Sequence, residues 1–574
     1  MKPLGVEIER ERPWERWLLA AVVIGFALLA FAEVAHWRPG FARTDETELV
    51  SYEQMGREGT PWEYEVFKGC IFRRLLSVIL SLTGPSMLAL HFLTWGAMLL
   101  EAWLLLRLGR ALLSRRAALW ALLAGLACAT TFLRSRSLLA YAILPAELLL
   151  ALAFIARRWG ALGSLAYGAF AAFMLSDYEG WVFALPMLLI FWLREEPQNR
   201  PQASWALLGF GAVLASLLVP SWGIFQEHLL QRARNVPGVE RSLAQGAGQA
   251  LRGFFIGIDQ VTGHMGVKMH PVMAFWAMPA LLWGAFILRK HGKILWLWAL
   301  FGLLPIFSTG GAGEPNRVMA AWPALCLIAG QGMLPLLRAC GKRDWIFAFL
   351  LLGLGLAWEG RSYLQSMRSV EGSEYAPSQA VLELARQWPH AQPLMDFDYK
   401  GSAHWRYVWQ SQALAPRQGE IFVLRWEYFP ALKGQGAALN ERPISDSSPP
   451  WIWFSQGPPA FQRRLLACDA ALRGLHQSLP RFDKRGRREA LRHFMAAGPD
   501  PIAFTAALEE AVKISTELGE IPPDLLAAVM RGPLVCASSA LWLADMAASA
   551  GDSRSAGILC ARARRIDGRC DCKY

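Results

Sequence analysis

WLLAAVVIGFALLAFAEVA, residues 17–35, runs nineteen residues with a single charged side chain, Glu33, near its far end. That length of apolar chain is what a helix needs to cross a bilayer. The basic segment Met1–Arg16 precedes it and no small-residue cleavage site follows it, so it reads as a retained span rather than a signal peptide. Comparable stretches recur at 84–106, 117–133, 137–156, 161–176, 181–193, 204–222, 271–288, 294–308, 318–337 and 345–358. With residues 54% hydrophobic and apolar runs repeated this often, the core helices of a soluble protein do not account for them. The sequence therefore predicts an α-helical polytopic membrane protein of about eleven spans.

Charge sets the orientation. Met1–Arg16 and the loops RLGRALLSRR, ARRWG, REEPQNRPQA, RKHGK and RACGKRD together carry eighteen Lys and Arg, against three in the alternate short loops. By the positive-inside rule the basic set is cytoplasmic. The loops 36–83 and 223–270 and everything after about 359 are then expected outside, as in a bacterial inner-membrane protein with a cytoplasmic N-terminus. The net charge of +12 is dispersed among apolar spans, with no compact Lys/Arg block interleaved with aromatics. Nucleic acid is accordingly not an expected partner.

Past residue 359 the apolar runs shorten and Pro, Gln, Asp and Arg enter. Residues 359–460 alternate the helical stretch SQAVLELARQW (378–388), the strand-like PLMDFDY, a helix near AHWRYVWQSQAL, then EIFVLRW and WIWFS, which predicts a mixed α/β unit. Residues 461–574 read as all-helical. Within them, LWLADMAASAGDSRSAGILCARARRIDG sets Leu543, Ala544, Ala547, Gly551, Ala556 and Ala563 at the small-residue positions of a tetratricopeptide-like hairpin. An ordinary packed helix pair has the same pattern. Cys128 and Cys326 fall in spans and Cys340 in a cytoplasmic loop. Cys468, Cys536, Cys560, Cys570 and Cys572 fall in the outer domain, where at least one disulfide is expected. RCDCKY lacks a second ligand pair and is not a zinc site.

The first outer loop carries the chemistry. FARTDETELVSYEQMGREGTPW (41–62) holds five carboxylates directly after a span. Asp45 stands at the start of a short helical pattern through Leu49, Tyr52, Gln54 and Met55, where the first-turn amides and helix dipole stabilise an ionised carboxylate. Such a group suits proton abstraction from an acceptor hydroxyl. It equally suits an N-cap, with Glu46, Glu48 and Glu53 on a solvated face.

In that loop Asp45-Glu46, Tyr52, Gly59 and Trp62 stand in the order found in the first outer loop of the GT-C glycosyltransferases, the superfamily of protein O-mannosyltransferases and lipid A aminoarabinose transferases, which the run therefore resembles. Further similarities follow in order: EYEVFKG with Lys68; LGRALLSRRAALWALLAGL; FQEHLLQRAR with Glu227, His228 and Arg232; HPVMAFWAMPALLWG; and PNRVMAAWPALCLIAG with Arg317 and Pro323. Two positions depart from the aminoarabinose transferase pattern. Pro145 stands where relatives carry a second acid, with Glu147 two residues on, and Glu179-Gly180 replaces a Lys-Gly.

The resemblance implies a GT-C-like fold and an inverting transfer of sugar from a polyprenyl-phosphate donor to an extracytoplasmic acceptor: lipid, glycan or protein. Asp45 would be the base and Glu46 its neighbour. Substrate-binding candidates are Tyr52, Lys68, Glu147, Glu227, His228, Arg232 and Arg317, with the cations meeting the departing lipid phosphate. Arg73 and Arg74, and Arg134 and Arg136 in the short second outer loop, are either further phosphate ligands or anchors that snorkel to headgroups. Some members of the superfamily use a divalent cation (Mg or Mn) and others do not, so the cofactor is open. No metal-ligand set follows from the spacing of His228, His264 and His270.

Two other classes remain. A transporter or flippase for lipid-linked sugars predicts internal repeats, broken helices and charges at mid-membrane; no convincing repeat is found, and Glu33 and Glu101 read as span-end residues. A non-catalytic membrane scaffold would use the outer helical domain to hold partners.

Overall fold

A computed structural model of the chain describes residues 12–32, 70–136 (bar 85), 142–155, 160–177, 184–219, 252, 255–256, 270–308, 319–370, 392–393, 421–425, 438–442, 451–455, 459–478, 484–518, 537–549, 552–566 and a few residues between 525 and 534. The chain divides into two compact units. The first comprises residues 1–46 and 65–371, and the second residues 47–64 and 372–574.

The first unit is helical among its described residues: α1 (Pro13–Ala32), α2 (Cys70–Thr83), α3 (Met87–Leu112), α4 (Arg115–Leu126), α5 (Ala129–Arg136), α6 (Leu144–Ile155), α7 (Ala161–Asp177), α8 (Leu185–Arg194), α9 (Ala203–Leu218), α10 (Met278–Leu288, entered through a 3₁₀ turn Phe275–Ala277), α11 (Lys293–Ser308), α12 (Trp322–Ala339) and α13 (Asp344–Val370). Each of the eleven apolar stretches contains at least one of them. By length and composition two, α1 and α3, are long and apolar enough to cross a membrane; the bent pair α4–α5 makes a third if it is one span. Six more apolar helices run ten to seventeen residues. Together these are the helices of a multi-pass membrane protein.

Residues with side-chain caps start two of these elements. Ser86 accepts from the Ala89 amide (3.3 Å) and Ser114 from the Ala117 amide (3.1 Å), each filling one of the donors a helix start leaves over. Ser114 lets the chain turn sharply from α3 into α4.

The first unit's core centres on α12, which is buried over nearly its whole length between α4, α10, α11 and α13. Small residues allow this. A Cβ on Gly332 would sit 1.8 Å from the Ala280 carbonyl oxygen, and one on Gly168 of α7 would sit 1.8 Å from the Ala206 carbonyl oxygen of α9. Backbones that close gain dispersion contact that lipid tails cannot supply, which is how helices associate in a bilayer. Gly332→Leu should therefore separate α12 from α10 and lower the thermal midpoint of the detergent-solubilised protein by an overpacking cost of about 1–3 kcal/mol or more. Unchanged unfolding would show that the contact contributes nothing.

At the end where α1, α4 and α13 begin, four charged side chains and an indole are joined. Arg116 donates to Glu15 (2.7 Å) and Asp344 (2.9 Å), Arg12 donates to Asp344 (2.7 Å), and Trp120 Nε1 donates to Glu15 (3.0 Å). Glu15, Arg116 and Asp344 are buried. Both acids lie in the first turn of their helices, where the dipole favours them.

One boundary differs from expectation. Instead of ending near 358, α13 continues to Val370, and the first unit ends at 371. Glu359 and Tyr363 are both buried, so polar composition there marks contacts rather than the helix end.

In the second unit, strands β1 (Gln392–Pro393), β2 (Ile421–Arg425), β3 (Ala438–Arg442) and β4 (Trp451–Ser455) form one sheet in the order β1-β2-β4-β3. β1 runs parallel to β2, and β4 is antiparallel to both neighbours, with Trp453 opposite Val423 and Asn440. EIFVLRW and WIWFS contain β2 and β4, as their aromatic and β-branched composition favours. SQAVLELARQW, AHWRYVWQSQAL and most of PLMDFDY lie outside the described residues.

Helices α14 (Pro459–Ser478), α15 (Lys484–Ala496), α16 (Pro501–Leu518), α17 (Ala537–Ser549) and α18 (Ser553–Ile566) follow, with Leu465, Leu472, Leu491, Leu508 and Leu559 in their shared core. Leu543 and Ala544 of α17, and Ala556 and Ala563 of α18, are buried, and Asp552 caps α18 through Ser555. Cys468 is an unbridged thiol, pushed up to about 12 by burial and then by Asp500, so it stays protonated through the physiological range. Cys536, Cys570 and Cys572 lie outside the described residues.

Candidate functional site

The first unit has a broken helix at its heart. α4 stops at Leu126, Ala127 takes φ −84° and ψ +52°, and α5 leaves at 65° to α4. In an apolar surround every backbone group the break frees needs a partner, and partners are present. The Gly125 carbonyl accepts from the Thr131 hydroxyl (2.5 Å), the Ala127 carbonyl from Trp276 Nε1 (3.0 Å), and the Ala129 amide donates to Glu359 Oε2 (2.7 Å).

Glu359 does more than cap α5. Its other oxygen accepts from the Phe275 amide (2.9 Å), the start of the turn that enters α10, and His270 Nε2 lies 2.9 Å from Oε2. One fully buried carboxylate thus closes two helix starts and meets an imidazole. The Thr130 hydroxyl donates to the Val272 carbonyl (2.8 Å), which fixes the same segment to α5 from the side.

The far end of α5 carries Arg134 and Arg136, both buried. This corrects the sequence-based placement: they belong to a helix inside the unit, not to a loop from which they could snorkel. Arg134 reaches Glu101 (2.5 and 3.3 Å) and the Ala142 carbonyl (2.9 Å). Glu101 sits fourteen residues beyond the first residue of α3, about 21 Å along its axis. It is therefore an interior residue of the span and not a span-end one. Ser135 between the two arginines offers its carbonyl to Trp95 Nε1 (3.0 Å) and the Thr94 hydroxyl (3.3 Å), so α5 is pinned to α3.

Of the residues singled out from the sequence, Glu147 is described, in the first turn of α6 and buried, one turn beyond Ile143, whose carbonyl its amide meets (3.1 Å). Pro145 precedes it in the same turn, where a missing N–H costs no helix hydrogen bond. Arg73 on α2 is buried while Arg74 is exposed, so only Arg74 is placed as an interfacial anchor would be. Asp45, Glu46, Tyr52, Lys68, Glu179, Glu227, His228, Arg232, His264 and Arg317 lie outside the described residues. Among the described residues no three His, Cys, Asp or Glu side chains are grouped as a metal ion would need.

Sequence reading missed Glu359 and His91 altogether. Glu359 falls where the apolar run gives way to polar residues, so composition makes it a boundary residue. His91 is a lone polar side chain four residues into α3, with no motif around it.

No protein-family model matches the sequence, and no curated protein does. The chain aligns with two solved structures of ArnT from Cupriavidus metallidurans. The one bound to undecaprenyl phosphate aligns at 14% identity with a TM-score of 0.43, and the apo form at 13% with 0.45. Each alignment covers 77% of this chain and 98% of the other.

Proposed function

We propose that the chain is a membrane glycosyltransferase that moves a sugar from a polyprenyl-phosphate donor to an extracytoplasmic acceptor with inversion. The observation that carries this is the helix break. It lodges Arg134 and Arg136 in an apolar helical unit that also buries Glu101 of α3 and Glu359 of α13, where ionisable groups are costly and mark a substrate site. The similarities that run in order from the first outer loop to residue 330 support the same class.

In the proposed reaction Asp45 takes the proton of an acceptor hydroxyl as its oxygen attacks the anomeric carbon. The carbon–oxygen bond to the lipid phosphate breaks on the opposite face, and the phosphate departs with the bonding pair. Lys68, Arg232 and Arg317 are proposed to meet that growing charge, with Glu46 orienting Asp45 and Tyr52, Glu227, His228 and Glu147 lining the substrates. The second unit is proposed to lie on the acceptor side, in the periplasm or its equivalent.

The same break favours a second reading. A discontinuous helix and a buried Glu101–Arg134 pair are what a transporter for lipid-linked sugars would carry. Chemistry separates the two. A transferase purified in detergent consumes sugar-loaded donor and releases polyprenyl phosphate, whereas a transporter leaves the sugar–phosphate bond intact. Topology is a second check: an alkaline phosphatase fusion at Ser373 should be active and a fluorescent-protein fusion there dark. The reverse pattern would put the second unit on the wrong side for either reading.

A further inference from the structure

Helix α18, SRSAGILCARARRI, carries four arginines in fourteen residues and no acid. Its buried side is Ser555, Ala556, Leu559, Cys560 and Ala563. The opposite side presents Arg554, Ile558, Ala561 and Arg565, all exposed, and their spacing of four, three and four residues makes one stripe along the helix. Arg564, beside the stripe, is exposed as well. The fourth arginine, Arg562, turns back to the Met530 and Gly532 carbonyls. The acid nearest in sequence, Asp552, gives its two oxygens to the Ser555 amide (3.0 Å) and hydroxyl (2.5 Å).

Helix stability does not account for this set. Arg564 and Arg565 lie in the last turn, where the dipole favours a cation, but Arg554 lies in the first, where it does not. Packing does not account for Ile558, which is 42% exposed. Among the described residues of the second unit, the exposed large hydrophobic side chains are Ile558 and Trp542 of the adjoining α17, so exposed apolar surface there is confined to one hairpin.

The spacing says what kind of anion would fit. Arg554 and Arg565 stand about 16 Å apart along the axis, too far for one small anion to meet both, whereas a surface of anions meets them together. Cations with an aliphatic side chain between them suit a headgroup layer, where guanidinium groups reach phosphates and the alkyl group enters the interface. The second unit continues from α13 of the membrane-spanning unit in the same chain, which keeps a bilayer surface at high effective concentration.

We propose that the exposed side of α18 is a docking surface for anionic lipid headgroups, with Arg554, Arg564 and Arg565 on the phosphates and Ile558 at the interface. This does not depend on the transfer reaction proposed above.

The test is arginine footprinting of the full-length chain with phenylglyoxal, read by mass spectrometry, in nanodiscs of phosphatidylcholine and of an equal mixture of phosphatidylcholine and phosphatidylglycerol. Each arginine at an anionic surface gains about fivefold in partitioning, so modification of Arg554 and Arg565 should slow about threefold or more in the anionic discs. Molar salt shortens the Debye length to about 3 Å and should restore the rate. Arg463, exposed on α14, is the internal reference and should react alike in both discs. Arg554→Glu with Arg565→Glu should abolish the slowing at Arg564, and Arg554→Lys with Arg565→Lys should keep it, because headgroups respond to charge more than to guanidinium geometry. These changes are on exposed side chains, so folding is expected to hold, and the comparison of discs in the parent needs no variant.

Equal rates at Arg554 and Arg565 in the two discs would overturn the proposal. Equal slowing at Arg463 would overturn it too, since the effect would then belong to the disc and not to α18. Slowing lost in the lysine variant would do the same, by pointing to a partner that grips guanidinium groups in pairs, as protein carboxylates do.

Discussion

Glu359→Leu should fail to accumulate as folded protein, or should unfold far below the parent. The substitution strands the Ala129 and Phe275 amides at two helix starts and leaves His270 without the carboxylate it faces. Each of those groups is inside the unit, and lipid cannot replace the lost acceptor. Leaving a buried donor unsatisfied typically costs about 1–3 kcal/mol, so two stranded amides cost a large share of the about 5–15 kcal/mol that a folded protein usually has. Glu359→Gln keeps an acceptor oxygen and should lose less, about the 1–3 kcal/mol of a buried hydrogen bond. The ranking parent, Gln, Leu in fluorescence-detected size exclusion after heating would support the keystone role. A leucine variant as stable as the parent would show that the break is held by Thr131 and Trp276 alone.

Because α5 is fixed at one end by Glu359 and at the other by Trp95 and Thr94, the same residue also sets where Arg134 and Arg136 stand. Structure and site are therefore coupled here: a variant that unpins α5 moves two guanidinium groups.

Much of the architecture could be read in advance from apolar runs, since each one contains a helix and the strands β2 and β4 fall inside the stretches rich in aromatic and β-branched residues. What could not be read depends on contacts between distant segments. LRSR at 133–136 looks like a loop because two of its four residues are arginines, yet Glu101, thirty-three residues earlier, makes Arg134 affordable inside the unit. The break after Leu126 leaves no proline or glycine at the bend itself; it is stabilised by Trp276 and Glu359, more than a hundred residues away. Glu101 and Glu359 both resemble span-end residues in composition, and only their partners show them to be interior. The basic end was legible only as an excess of charge: that Glu15 and Asp344 clasp Arg116 does not follow from charge counts.

The acid loop is where sequence carries the argument furthest, and Asp45 is the residue on which the proposed chemistry turns. Asp45→Asn keeps the size and the helix-capping ability of the side chain and removes its charge and basicity. If Asp45 is an N-cap, little changes. If it is the base, its loss costs about 10²- to 10⁴-fold in rate. Glu46→Gln should be milder, since Glu46 is assigned only to orient its neighbour. The deciding measurement is the rate at which purified parent and Asp45→Asn release polyprenyl phosphate from a sugar-loaded polyprenyl-phosphate donor in the presence of an envelope acceptor extract. Thermal midpoint and donor affinity would be measured on the same samples. The account predicts turnover by the parent and, at equal stability and equal affinity, a loss of about a hundredfold or more in the variant. Asp45→Asn turning over at the parental rate, or a parent that never releases the phosphate, would contradict it.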